Sequence, residues 1–142
     1  MSDLVERLLG LWADPLPADD ATAAELFGQL YHDPVTVNGT SMPLGDLVAR
    51  ARIVQAALAD ATREVLDVAE QPGKVAVAFR MSGRHVGPLP TSLGTIAATD
   101  QPISLRVIDI LTIEDGRISR LWMVADELGG LIQVDAVSAT RR

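Results

Sequence analysis

Two runs rich in β-branched and apolar residues, Ile103 to Ile113 and Arg117 to Ala125, are separated only by Glu114-Asp115-Gly116. Asp-Gly takes up the positive φ angles of a tight antiparallel turn, so the two runs are predicted to form a hairpin. One residue is out of keeping with its surroundings. Asp109 stands in the middle of the first run, among Val107, Ile108, Ile110 and Leu111. A carboxylate there is unfavourable unless it is paired, protonated or facing a cavity. The hairpin is therefore both a fold-defining element and a candidate site.

The chain before it reads as helices. Leu4, Leu8, Leu11 and Trp12 recur at helical spacing after Ser2 and Asp3, with Glu6 placed as in a capping box, and Pro15 and Pro17 end the pattern. Thr22 with Glu25 repeats that arrangement ahead of Leu26, Phe27, Leu30 and Tyr31, and Asp33-Pro34 is expected to stop this second helix. A short strand from Val35 to Asn38 and a loop from Gly39 to Gly45 follow. Leu47, Val48, Ala51, Val54, Ala57 and Leu58 then predict a third helix.

From Ala61 the texture changes to strands: Thr62 to Glu70, Lys74 to Val86, and the two runs of the hairpin, with a further turn at Pro72-Gly73. Helices first and an antiparallel meander afterwards imply an α+β fold. Gly87 to Pro102 is too long for a tight turn yet carries Leu89, Leu93 and Ile96, as a cover folded over something would. Asp126 is placed to cap a short closing helix containing Leu128, Leu131 and Ile132.

Length and charge narrow the function. The 142 residues suit one domain, 1–142, with no shift of composition inside it. No apolar run reaches the length of a membrane span and no leader-like segment opens the chain, so a soluble, cytoplasmic protein without a membrane partner is expected. The absence of cysteine rules out disulfides and thiolate chemistry, and with His32 and His85 the only imidazoles no metal site is expected. A net charge of −7, with basic residues dispersed except for Arg141-Arg142, argues against nucleic acid as a partner.

The order of these elements, with Tyr31-His32-Asp33 leading into Val37-Asn38-Gly39, then Gly83-Arg84-His85-Val86-Gly87, Ile108-Asp109-Ile110, and Asp115-Gly116-Arg117-Ile118 with Trp122 and Asp126, resembles the SnoaL-like polyketide cyclases of the nuclear-transport-factor-2-like superfamily. The resemblance covers nearly the whole chain. It implies a cone-shaped α+β barrel, with N-terminal helices packed on a curved antiparallel or mixed sheet, usually as a homodimer and enclosing an apolar pocket. It also implies a small polyketide-like substrate and no cofactor. Members of this family close rings, open epoxides, assist hydroxylation or only bind ligands.

Carried over residue by residue, the resemblance shows departures. Counting from Asp115-Gly116, the position of the working aspartate of aldol-type cyclases holds Met123, and a thioether cannot exchange a proton. A pocket histidine of those enzymes falls on Asp109. Against the limonene-epoxide-hydrolase type, Asn38 and Arg80 match an Asn and an Arg, whereas Thr36 replaces a Tyr, and Ser82 and Met123 replace two acids.

Alternation places Leu105, Val107 and Leu111 on the face of Asp109, an apolar wall that would raise its pKa and suit it to act as a general acid or to polarise a carbonyl. The residues leave open a dimer-interface position for Asp109, or an ion pair with Arg106 or Arg80. Arg80 would hold Asp109 ionised or orient a ligand oxygen. His85, at a strand end beside the long loop, is either a proton-transfer group or a loop anchor. Asn38 is either a ligand contact or plain Asn-Gly turn chemistry. The catalytic set expected is thus Asp109, Arg80 and His85, with Asn38, Thr36, Ser82, Leu105, Val107, Leu111, Leu121 and Met123 around the substrate. The expected reaction is ring closure by pocket-enforced folding with mild acid assistance, cycloaddition being favoured over aldol chemistry. The alternatives are an epoxide-opening enzyme, or a non-catalytic ligand-binding or hydroxylation-accessory protein.

Overall fold

The computed structural model describes residues 3–138 and 140, so the expected roles of Ser2 and of Arg141-Arg142 lie outside the described residues. Helix α1 (Asp3–Ala13) carries Val5, Leu8 and Leu9 into the core. Helix α2 (Asp20–Gly28) is capped by Asp19, whose carboxylate accepts from the Thr22 backbone N–H at 2.9 Å and the Thr22 hydroxyl at 2.7 Å. Thr22 is therefore capped rather than capping, a shift of one turn from the expected box. Helix α3 (Leu44–Ala57) buries Leu44, Leu47, Val48 and Ala51.

The second helix is shorter than expected. It ends at Gly28, and Tyr31 already opens strand β1 (Tyr31–Val37), with Asp33-Pro34 inside the strand. Long-range pairing decides this, because the Ile118 N–H donates to the Leu30 carbonyl at 2.8 Å and draws the chain into the sheet. Asn38 and Gly39, at φ 49° and 85°, turn β1 into the short strand β2 (Thr40–Met42), where a loop was expected.

Strands β3 (Leu58–Gln71) and β4 (Lys74–His85) follow, then a small hairpin of β5 (Leu89–Thr91) and β6 (Gly94–Ile96), then β7 (Pro102–Glu114), β8 (Arg117–Ala125) and helix α4 (Glu127–Gln133). The turns fall where the sequence places them: Gly73 at φ 78°, and Asp115-Gly116 at 51° and 75°. The main sheet has six strands in the order β2-β1-β8-β7-β4-β3, antiparallel except for the parallel β1–β8 pair. This is the α+β architecture expected, with N-terminal helices on one face of a mixed sheet.

Alternation gives the sheet two unlike faces. Val75, Val77, Phe79 and Met81 of β4, with Leu111 of β7 and Leu121 of β8, are buried under the helices. The other face carries Ala76, Ala78, Arg80, Ile108, Ile110, Trp122 and Val124, and the last four are exposed. Helix α4 closes the sheet where β8 stops short of the start of β7. The Ser104 N–H donates to Gln133 Oε1 at 2.7 Å, and Gln133 Nε2 donates to the Ser104 carbonyl at 3.2 Å. One side-chain amide thus stands in for a neighbouring strand and covers part of a free edge. Asp126 caps α4 as expected, accepting from the Gly129 N–H at 2.9 Å.

Candidate active site

The register sets Asp109 between Val77 on β4 and Met123 on β8, on the covered face of the sheet. The neighbouring rows on the same face are Val75, Leu111 and Leu121 on one side, and Phe79, Val107 and Ala125 on the other. Asp109 is only 6% exposed and its Oδ1 is buried without a hydrogen-bond partner. Burial in this apolar surround raises the carboxyl from 3.8 to about 7. At neutral pH a large share of it is a carboxylic acid, able to donate a hydrogen bond or a proton.

Beside Asp109 the covered face is not sealed. Met123, directly across the hairpin, is 39% exposed, and Val107, Leu105 and Ala125 are half-buried. Leu105, Val107, Leu111, Leu121 and Met123 therefore share a face with the acid, as alternation predicts.

Arg80 does not join them. It faces the opposite side of the sheet, where its guanidinium meets Glu64 Oε2 at 3.5 Å, and Arg106 on that same side binds Asp126 at 2.9 Å. The expected grouping of Arg80, or Arg106, with Asp109 is therefore not formed. The physical reason is the pleat: Val75, Val77, Phe79 and Met81 occupy one face of β4, so Arg80 takes the other. Ser82 and Thr36 lie on that far face too, Ser82 donating to Ser104 Oγ at 3.1 Å and Thr36 standing opposite Arg120. The big-small alternation of Val-Ala-Val-Ala-Phe-Arg-Met was the signal for this division.

Asn38 serves the fold at both ends of its side chain and backbone. It turns the β1–β2 hairpin at positive φ, and its Oδ1 accepts from the Met123 N–H at 2.8 Å, fixing the strand that carries Met123. His85 is fully buried on the covered face, near the far end of β4. Its Nδ1 lies 3.0 Å from Thr99 Oγ1, while its Nε2 is buried without a partner. Eight residues separate it along β4 from Val77, the neighbour of Asp109, so the two groups are roughly 25 Å apart along the strand. The loop beyond His85 folds back on the body: the Val86 and Gly87 N–H groups donate to the Ala57 carbonyl at 2.9 and 3.3 Å, and Leu89 is buried against Met81 and Ile103.

Two clefts lie elsewhere. One of about 270 Å³ runs between α1 and α2, and one of about 390 Å³ is bounded by Arg80, Ser104, Arg106, Asp126, Gly129 and Gln133. Neither is lined by Asp109. Among the described residues no group of His, Asp or Glu is arranged to hold a metal ion, and no helix is long and apolar enough to cross a membrane.

Sequence reasoning passed over Tyr31, which it assigned to a helix face. The side chain is 1% exposed, stacks on Phe27 at 5.8 Å between ring centroids, and accepts a hydrogen bond from Trp12 Nε1 at 3.0 Å. Tyr31-His32-Asp33 stood out in the sequence, but nothing in it told that the phenol turns inward.

Comparison with known proteins places this geometry. The fold is similar to that of TsrD from Streptomyces laurentii, with a TM-score of 0.76 and 24% identity over 94% of this chain and 93% of that one. It is similar also to wild-type IdmH from Streptomyces antibioticus, with a TM-score of 0.68 and 18% identity over 94% and 99% of the two chains. A SnoaL-like polyketide cyclase from Agrobacterium tumefaciens gives a TM-score of 0.68 and 17% identity over 91% and 95%. A search of curated proteins found no match. The family model described as SnoaL-like polyketide cyclase matches residues 7–134, nearly the whole length, and the chain belongs to that family.

Proposed function

We propose that this chain is a polyketide cyclase that closes a ring on a flexible, largely apolar substrate, with Asp109 acting as a neutral acid on a substrate oxygen. The observation that carries the reading is a buried, partnerless carboxyl on the apolar covered face, beside the partly open stretch at Met123. An apolar wall restricts a flexible chain to few conformers, and holding reacting carbons in contact lowers a barrier by several kcal/mol without a strong base. A carboxylic acid at that wall hydrogen-bonds a carbonyl and withdraws electron density from it, which assists cycloaddition or a mildly acid-assisted closure. Proton abstraction to form a carbanion asks for a stronger and charged base, and Met123, the residue across from Asp109, supplies none. The reading requires no redox cofactor, since such a closure is redox-neutral. Epoxide opening has less support, because it calls for a second acid facing Asp109, and among the described residues Asp109 is the only buried carboxyl.

Incubation with linear polyketide substrates, followed by product analysis, tests this. Asp109→Asn keeps a donor and the shape, so turnover is expected to fall modestly, about tenfold or less. Val107→Trp, which fills the wall, is expected to cost more. Total loss with Asn, together with full activity in the Trp variant, would sink the shape-directed mechanism in favour of obligatory proton transfer.

We also propose that the chain pairs with a second copy through the uncovered face of the sheet, where Ile110 lies across from Trp122 and Ile108 across from Val124.

A further inference from the structure

We infer that Met123 is a reversible oxidation site that switches Asp109: once its sulfur carries an oxygen, that oxygen accepts the hydrogen bond Asp109 otherwise gives to substrate. The inference rests on the proposed role of Asp109 and names hydrogen peroxide as the oxidant.

Met123 stands directly across the β7–β8 hairpin from Asp109, on the same face of the sheet. The Cβ atoms of such a cross-strand pair lie about 5 Å apart, a gap that an unbranched methionine with three rotatable bonds spans. The two side chains differ in access. Asp109 is 6% exposed with its Oδ1 buried and without a partner, whereas Met123 is 39% exposed. Strand lengths make the opening: β1 pairs with β8 only as far as Leu121, and beyond it the Met123 N–H is held by the Asn38 side chain alone. Met42 and Met81, at 7% and 6%, are packed into the core. Among the described residues, Met123 is therefore the methionine that a small oxidant in water reaches.

A thioether is a weak hydrogen-bond acceptor, so the unmodified residue leaves the acid proton of Asp109 free. Burial raises that carboxyl to about 7, so at neutral pH a large share of it has a proton to give. Peroxide changes the neighbour. Its O–O bond breaks, one oxygen bonds to the sulfur lone pair and the other leaves as water, so sulfur loses the two electrons that peroxide gains. The product is a polar sulfoxide whose oxygen is an acceptor facing an unpartnered acid. Two thiols reverse the step, forming a disulfide and releasing the oxygen as water.

The test treats the full chain with hydrogen peroxide, locates the added oxygen by peptide mass, and follows the carbonyl stretch of protonated Asp109 by infrared spectroscopy at about pH 5.5, where ordinary carboxyls are ionised and an acid that titrates near 7 is not. Asp109→Asn, which lacks the band, identifies it. Oxidation at Met123 is expected to lower this stretch, to raise the pH at which the band disappears by up to about one unit, the worth of one neutral hydrogen bond, and to slow turnover of linear polyketides roughly three- to tenfold. A dithiol with a methionine sulfoxide reductase should restore all three. Met123→Gln sets an amide oxygen at the same place without an oxidant and should lower the stretch likewise, while Met123→Leu should leave the band indifferent to peroxide. An unmoved band in both the oxidised chain and Met123→Gln, or oxygen added to Met42 and Met81 and not to Met123, would overturn the switch and leave the role of Asp109 standing. A moved band with unchanged turnover would keep the switch and overturn that role.

Discussion

Asp109 ties stability to pH in the direction opposite to most carboxylates. Its folded pKa lies near 7, above the unfolded value of 3.8, because burial disfavours the charged form. Between those values the native chain holds a proton that the unfolded chain has lost, so stability falls as pH rises through this window. The loss is on the order of a few kcal/mol by pH 8 and is absent below about pH 4. Asp109→Asn has no charge to bury. Its advantage over the wild type is expected to be small near pH 4 and to grow steadily up to pH 8, as urea denaturation at the two values would show. A variant less stable than the wild type at pH 8 would mean that the carboxylate has a native partner. The acid itself was legible in the sequence, since a charged residue at the centre of an apolar strand is visible without a structure. Tyr31 was not, because Leu26, Phe27, Leu30 and Tyr31 fit a helical stripe as well as the true break between helix and strand, and only the pairing of Leu30 with Ile118 decides between them.

At the scale of elements, strands and tight turns were read well because their signals are local. Asp115-Gly116, Pro72-Gly73 and the alternation of β4 each act within a few residues. The face of Arg80 was equally local, but seeing it required weighing the large side chains of β4 together rather than asking what an arginine would want. The hairpin of β5 and β6 was harder, since its order comes from distant contacts: the Ser92 N–H donates to Glu127 Oε2 at 3.0 Å, and Thr99 meets His85. Gly87 is where that segment leaves the body. A Cβ there would collide with the Ala56 carbonyl oxygen and lie 3.2 Å from Ala57 Cα, against backbone that cannot swing aside. Gly87→Ala is therefore expected to break the two N–H contacts to Ala57 and cost about 1–3 kcal/mol, as overpacking does. Amide exchange should rise across residues 86–101 and stay unchanged in β7 and β8. Uniform acceleration over the whole sheet would show instead that the hairpin and the sheet open as one unit.

At the scale of the whole molecule, the two faces of the sheet differ in what covers them. Helices bury one; the other presents Ile108, Ile110, Trp122 and Val124 as adjacent cross-strand pairs on the central strands β7 and β8, with Val124 73% exposed. A patch of four large apolar side chains at the middle of a sheet is the composition of an interface core rather than of a solvated surface. Arg80 and Arg106 on the same face are paired with Glu64 and Asp126, which limits the net charge that two acidic chains would bring together there. A two-fold axis through the patch would set each hairpin against its counterpart, the self-complementary contact that closed dimers use. Trp122→Glu puts a carboxylate at the centre of that contact. Because Trp122 is half-exposed within one chain, the substitution should leave the fold and the burial of Asp109 intact while converting a dimer to a monomer in light scattering. A monomeric wild type, or a dimer that survives Trp122→Glu, would show that the second copy does not sit on this face.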